Sequence, residues 1–164
     1  MKQRILKFLD VEPEESAPVF LLLAISFMLG MFLATVTVAS QSLFLTHFSE
    51  TKDLPVALVI SGLLGLGATA IYNFLQGRIP FRFLALGSLS IVLVLTAFIE
   101  FGDSFVEDVN FLYYYGFTLI LPFTFICLLV FWGAFERMFN LRQSKRIIGS
   151  VDLGTMVAQI LAFF

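Results

Sequence analysis

Ala17 to Leu45 reads APVFLLLAISFMLGMFLATVTVASQSLFL, 29 residues without a charged side chain. A helix crosses the hydrocarbon core of a bilayer with about 17 to 25 predominantly apolar residues, so this run alone is long enough to span. Three more uncharged runs follow, Leu54 to Gly77, Phe83 to Ile99 and Val109 to Phe135, of 24, 17 and 27 residues. A fifth, Ile147 to Phe164, is broken by a single charge, Asp152. Strands of a membrane barrel would be about 10 residues long with strict apolar and polar alternation, and none of these runs alternates. Helices then remain as the way to satisfy backbone groups in lipid. The sequence therefore predicts an all-α, polytopic membrane helix bundle. Residues 1–16 form a cytoplasmic amphipathic lead-in and residues 17–164 a transmembrane domain, with spans near 17–45, 54–77, 83–99, 109–135 and 147–164. The last run stops on Leu161-Ala162-Phe163-Phe164 with no polar anchor after it, and we expect that helix to be incomplete.

Composition agrees with a lipid environment. Hydrophobic residues make up 59% of the 164-residue chain and charged residues 13%, with a mean hydropathy of +0.96. Soluble domains sit nearer 45–50% apolar. The net charge is −2, and the basic residues lie at short intervals between apolar runs, so there is no nucleic-acid footprint. Cys127, the sole cysteine, lies inside an apolar run and offers neither a disulfide framework nor a thiolate cluster. The first run is about twice the length of a signal-peptide core and follows Glu12-Pro13-Glu14-Glu15, which marks it as a retained helix. Ahead of it, Ile5, Leu6, Phe8 and Leu9 alternate with Lys2, Arg4 and Lys7, a pattern that suits a helix lying at the membrane surface and equally a basic tail.

Orientation follows from the cations, since Lys and Arg are retained on the cytoplasmic side. Nine of the ten fall on one side: Lys2, Arg4 and Lys7 before span 1, Arg78 and Arg82 between spans 2 and 3, and Arg137, Arg142, Lys145 and Arg146 between spans 4 and 5. Lys52 alone falls on the other. The N-terminus is expected in the cytoplasm and the protein in the inner (plasma) membrane of a bacterial cell.

Polar residues within the spans are the candidate functional groups. In span 1, Ser26, Gly30, Ala34, Thr37 and Gln41 recur at three- or four-residue spacing and share a face, and in span 2 Gly62, Gly65, Thr69, Asn73 and Gln76 do the same. Small residues let membrane helices approach closely, and hydroxyls bond between them for about 0.6 to 2 kcal/mol each, so packing accounts for most of these positions. The amides fit it least, and Gln41, Asn73, Thr37 and Gln76 are the substrate-path candidates. Span 5 aligns Ser150, Gly154, Ala158 and Ala162 for tight helix contact. Pro122 should kink span 4, and Tyr113, Tyr114 and Tyr115 suit an interfacial aromatic belt. Asp152 is the carboxylate within a span; with Arg146, Lys145, Glu136 and Arg137 near the same end, it is a candidate for an ion pair or a coupling site. No metal site and no cofactor are expected.

Three stretches resemble the nucleotide-transporter-like branch of the major facilitator superfamily, which includes bacterial and plastid ATP/ADP translocases. ILKFLDVEPEE, Ile5 to Glu15, is similar to the lead-in to helix 1 of that family. SLFLTHFSETKDLP, Ser42 to Pro55, is similar to the end of helix 1, the outer loop and the Leu-Pro that opens helix 2. FNLRQSKRIIGSVDLG, Phe139 to Gly154, resembles the cytoplasmic Arg-Gln-Ala-Lys-Arg segment and the glycine-bearing helix 5. The loop QGRIPFR, Gln76 to Arg82, occupies the place of the basic loop between helices 2 and 3 but lacks the usual Asp-Arg. The resemblance implies about twelve helices, of which this chain supplies the N-terminal portion, and alternating access between two six-helix halves. It also shows a departure. Translocases place a basic residue and an aspartate near the end of helix 1, where Val38 to Ser42 is uncharged here.

The resulting expectation is a secondary-transporter-like membrane protein of that group, or alternatively a non-transporting scaffold or subunit of a larger membrane complex. Its partners are the lipid bilayer, further helices of the same chain or other membrane subunits, and, for a transporter, a small-molecule solute. No Ser/His/Asp set, metal-ligand cluster or glycine-rich phosphate loop points to an enzyme; His47 is an outer-loop residue.

Overall fold

The computed structural model describes residues 15–48, 53–102, 106 and 109–163; the side chain of Leu141 is not described. Residues 1–14 of the expected amphipathic lead-in, Lys52 and Asp103 lie outside these residues. Among the described residues the structure is all-helical: α1 (Ser16–His47), α2 (Asp53–Gln76), α3 (Phe81–Phe101), α4 (Val109–Thr118), α5 (Ile120–Met138) and α6 (Leu141–Ala162). Four of them, α1, α2, α3 and α5, are long and apolar enough to cross a membrane, the architecture of a multi-pass membrane protein. Helix α6 is not among these four. It carries the fifth apolar run, but Arg142, Lys145 and Arg146 occupy its first two turns and Asp152 its middle.

Val109 to Phe135, one uncharged run in the sequence, is two helices that meet at Leu119. The reason is local. In a regular helix the amide of residue 122 would bond the carbonyl of Thr118, and Pro122 has no amide to offer. The neighbouring rungs survive, with Leu119 N donating to Tyr115 O at 3.0 Å and Phe123 N to Leu119 O at 3.0 Å.

The chain divides into two compact units, Met1–Thr35 with Phe131–Phe164, and Val36–Val130. In the first, α1, the end of α5 and α6 share a core of Val19, Leu22, Phe131, Phe135, Phe139, Ile147 and Val151, against which Leu23, Leu29 and Trp132 pack. Phe131, Trp132, Phe135 and Phe139 form a file of tilted and edge-on rings with centroids 5.2 to 5.5 Å apart, the spacing aromatic pairs favour. A turn at Asn140 starts α6. Its extended backbone and side chain cap the helix, and Gln143 Oε1 accepts from Asn140 N at 3.0 Å to complete a capping box.

In the second unit Phe44, Ala57 and Phe117 form one core cluster, with Phe44 stacked on Phe117 at 4.3 Å and on Phe48 at 4.9 Å. Tyr72, Leu84 and Val130 form another. Arg78 and Ile79 close the α2–α3 turn through Leu75 O, and Pro80, with its fixed φ, leads into α3. Tyr114 lies against Phe44 and Phe48, whereas Tyr115 is exposed. Three hydroxyls within these helices are satisfied by their own backbone: Ser88 donates to Leu84 O, Thr96 to Val92 O and Thr124 to Ile120 O, at 2.7 to 2.9 Å.

Candidate functional site

In the first unit the small faces of α1 and α6 meet. A Cβ placed on Gly154 would lie 2.7 Å from Leu23 O and from Ser26 Oγ, and one on Gly30 would lie 2.8 Å from Thr155 Cα, Thr155 O and Ala158 Cβ. The two backbones are close because neither glycine has a side chain. Ser26, fully buried, uses this proximity: its hydroxyl donates to Val151 O at 2.8 Å and accepts from Thr155 N at 2.9 Å. Those two groups are the ends of one helical rung, so α1 reaches into the hydrogen-bond ladder of α6. Thr155 Oγ1 in turn donates towards Asp152, with its carbonyl at 2.7 Å and Oδ1 at 2.8 Å. The partner described for the Asp152 carboxylate is thus a hydroxyl one turn along its own helix.

Span 2 was expected to share this close packing through its own small face. The structure turns that face differently. Ala57, Ser61, Gly65 and Tyr72 are its buried residues, and Gly65 accommodates the ring of Phe125, 2.9 Å from where a Cβ would sit. Gly62 and Gly67 have nothing within 4 Å.

A second polar assembly sits at the start of α6. Glu15, nearly buried, receives Arg146 in an ion pair through Oε2 and Gln143 Nε2 at 2.7 Å through Oε1. Around them opens a cleft of about 790 Å³ lined by Glu15, Asn140, Arg142, Gln143, Lys145 and Arg146. Arg142, Lys145 and Arg146 fall at i, i+3 and i+4 and so share one helix face. Among the described residues neither Arg142 nor Lys145 has an ion-pair partner, and both side chains are exposed.

The structure thus brings Arg146 and Lys145 together in one cleft and leaves the other charged candidates outside its lining. Glu136 is exposed, and Arg137 Nη1 donates to Gly133 O at 2.7 Å. Gln41, Asn73 and Gln76 are exposed on α1 and α2, Thr37 is half-buried, and none of the four lines the cleft. The three amide side chains have no hydrogen-bond partner among the described residues. Ser26, Thr155, Glu15, Asn140 and Gln143 were not picked out as site residues. The capping spacing of Asn140 and Gln143 was visible in the sequence, but nothing there ties Glu15 to a helix that begins 126 positions later. Among the described residues no group of three or more His, Cys, Asp or Glu is placed to hold a metal. No protein-family model, curated protein or solved structure matches the chain.

Proposed function

We propose that the chain is part of a secondary-transporter-like protein of the nucleotide-transporter-like group, set in the inner membrane with its N-terminus in the cytoplasm, and not an enzyme. In this reading it is the N-terminal portion of a larger helical bundle of the major-facilitator type, whose further helices cover one side of α1 and α2. The supporting observation is Gln41. It lies six residues, or about 9 Å by helical rise, inside the end of a bilayer-length helix. It is exposed among Val38, Leu43 and Leu45 and has no hydrogen-bond partner among the described residues. An amide left unpaired in hydrocarbon costs several kcal/mol, whereas the hydroxyls of Ser88, Thr96 and Thr124 are satisfied within their own helices. In this reading a water-filled path or another helix meets it. Asn73, one turn from the end of α2, is a second exposed amide without a hydrogen-bond partner among the described residues. Val38 to Ser42 offers hydroxyls and an amide and no cation, so the path suits a solute that hydrogen-bonds better than one that needs its phosphates neutralised.

One observation favours the scaffold reading. Ser26, Thr155 and the Asp152 carboxylate are already engaged in helix packing and local bonds. Thiol accessibility separates the two. In a Cys127→Ala background, Gln41→Cys and Asn73→Cys in native membranes should react with a small, impermeant thiol reagent, while Leu66→Cys and Leu93→Cys, both strongly exposed apolar positions, should not. Reaction at all four, or at none, would remove the support for a solute path. Orientation is tested in the same background: Asp53→Cys should label on intact cells and Gly77→Cys only after lysis, as the nine-to-one distribution of cations requires.

A further inference from the structure

The cleft at the start of α6 has no role in the reading above. Its cations are not all spent internally. Glu15 is matched by Arg146 and Gln143, and the capping interaction of Asn140 occupies the amide of Gln143, so the end of the helix is closed by its own residues. Arg142 and Lys145 remain, both exposed and lining the same open volume of about 790 Å³, which lies within the range of about 300–1,000 Å³ typical of small-ligand sites. Two exposed cations without an ion-pair partner among the described residues, beside a neutralised carboxylate, favour a group with negative charge and several acceptor oxygens. A phosphate has both.

The surface that leads away from the cleft indicates how that phosphate is presented. Continuing along α6 from Arg142 at helical spacing come Gly149, Leu153 and Val157, with Leu161 a quarter-turn to the side. Gly149 has nothing within 4 Å of its missing side chain, and Leu153, Val157 and Leu161 are exposed. One helix face therefore carries a cationic head, an open step and an apolar stripe, in that order. That is the polarity of a phospholipid standing in a leaflet. Basic pockets beside membrane helices on the cytoplasmic side are where acidic headgroups bind. We infer that this cleft holds the phosphate headgroup of an anionic phospholipid, with an acyl chain lying along Leu153 and Val157. The inference rests on the membrane reading proposed above, and not on whether a solute is carried.

The test uses the full chain, first shown to fractionate with membranes and then exchanged into a neutral maltoside; a chain that does not fractionate so fails the membrane reading itself. Retention of phosphatidylglycerol and of phosphatidylcholine with the same acyl chains is compared by native mass spectrometry. Phosphatidylglycerol should be retained about twenty-five-fold better, and Arg142→Gln with Lys145→Gln should remove that preference, since each of the two surface cations contributes about fivefold to acidic-lipid attraction. Arg78→Gln with Arg82→Gln removes as much charge elsewhere and should leave the preference intact. Leu153→Gln with Val157→Gln should weaken lipid retention without affecting any binding of inorganic phosphate. Equal retention of the two lipids, or equal loss in the two double charge variants, overturns the site. Displacement of the lipid by millimolar inorganic phosphate, with the Leu153 and Val157 variant unaffected, overturns the lipid as its ligand.

Discussion

Gly154→Leu should prevent α1 and α6 from packing and leave little folded protein in detergent, while Gly149→Leu on the same helix should fold. The difference is geometric. A Cβ at position 154 meets backbone, Leu23 O at 2.7 Å, together with Ser26 Oγ at 2.7 Å, and backbone cannot rotate out of the way as a side-chain tip can. Even Gly154→Ala should cost about 2 kcal/mol, the usual penalty for forcing a methyl group into filled space, and leucine considerably more. It would also push Ser26 off the Val151–Thr155 rung, so interhelical hydrogen bonds are lost with the packing. Gly149→Ala, with open space around it, should be neutral or stabilise by up to about 1 kcal/mol because alanine loses less backbone entropy in a helix. Gly65→Ala should fall between them, since the atoms it meets belong to the ring of Phe125, which can shift. Unfolding by denaturing detergent gives the order directly. If Gly154→Ala and Gly149→Ala unfold together, the close approach of α1 and α6 is wrong.

That experiment also marks where sequence reading stops. Three of the four membrane-length helices, α1, α2 and α3, follow uncharged runs directly, whereas the run 109–135 reads as one kinked helix and is two, because Pro122 removes a named hydrogen bond. The small residues of spans 1 and 5 were legible as a face, and Ser26 and Gly30 do meet Gly154 and Ala158. What a glycine meets was not legible. Gly65 has the same appearance in the sequence as Gly30, yet it makes room for an aromatic ring, because a missing side chain admits a helix or a ring equally well. The partner of a long charged side chain is still less local. Arg146 was one of several cations near Asp152 in the sequence that could pair with it, and the partner the structure shows for it is Glu15, brought there by the packing of α1 on α6.

Glu15→Ala should therefore destabilise the first unit, by about 2 kcal/mol. Glu15 is one-sidedly committed: its two oxygens receive Gln143 Nε2 at 2.7 Å and the Arg146 guanidinium, and its side chain is only 9% exposed against 27% for Arg146. A hydrogen bond to a charged group is worth about 1.5 to 3 kcal/mol, and removing one partner leaves the other to be rehydrated or stranded. Arg146 has some access to water, which holds the cost below the figure for a fully buried pair. Gln143 would also lose the anchor that holds it in the capping box of α6, so part of the effect should appear as fraying at Asn140 and Leu141. Glu15→Gln keeps the shape and an acceptor for Gln143 but not the charge, and it should recover less than half of the loss. A double-mutant cycle with Arg146→Ala isolates the pair: the two single substitutions should each cost more than the second substitution costs once the first is made, with a coupling of at least about 1 kcal/mol. Additive losses would mean that Glu15 acts on helix α6 otherwise than through Arg146.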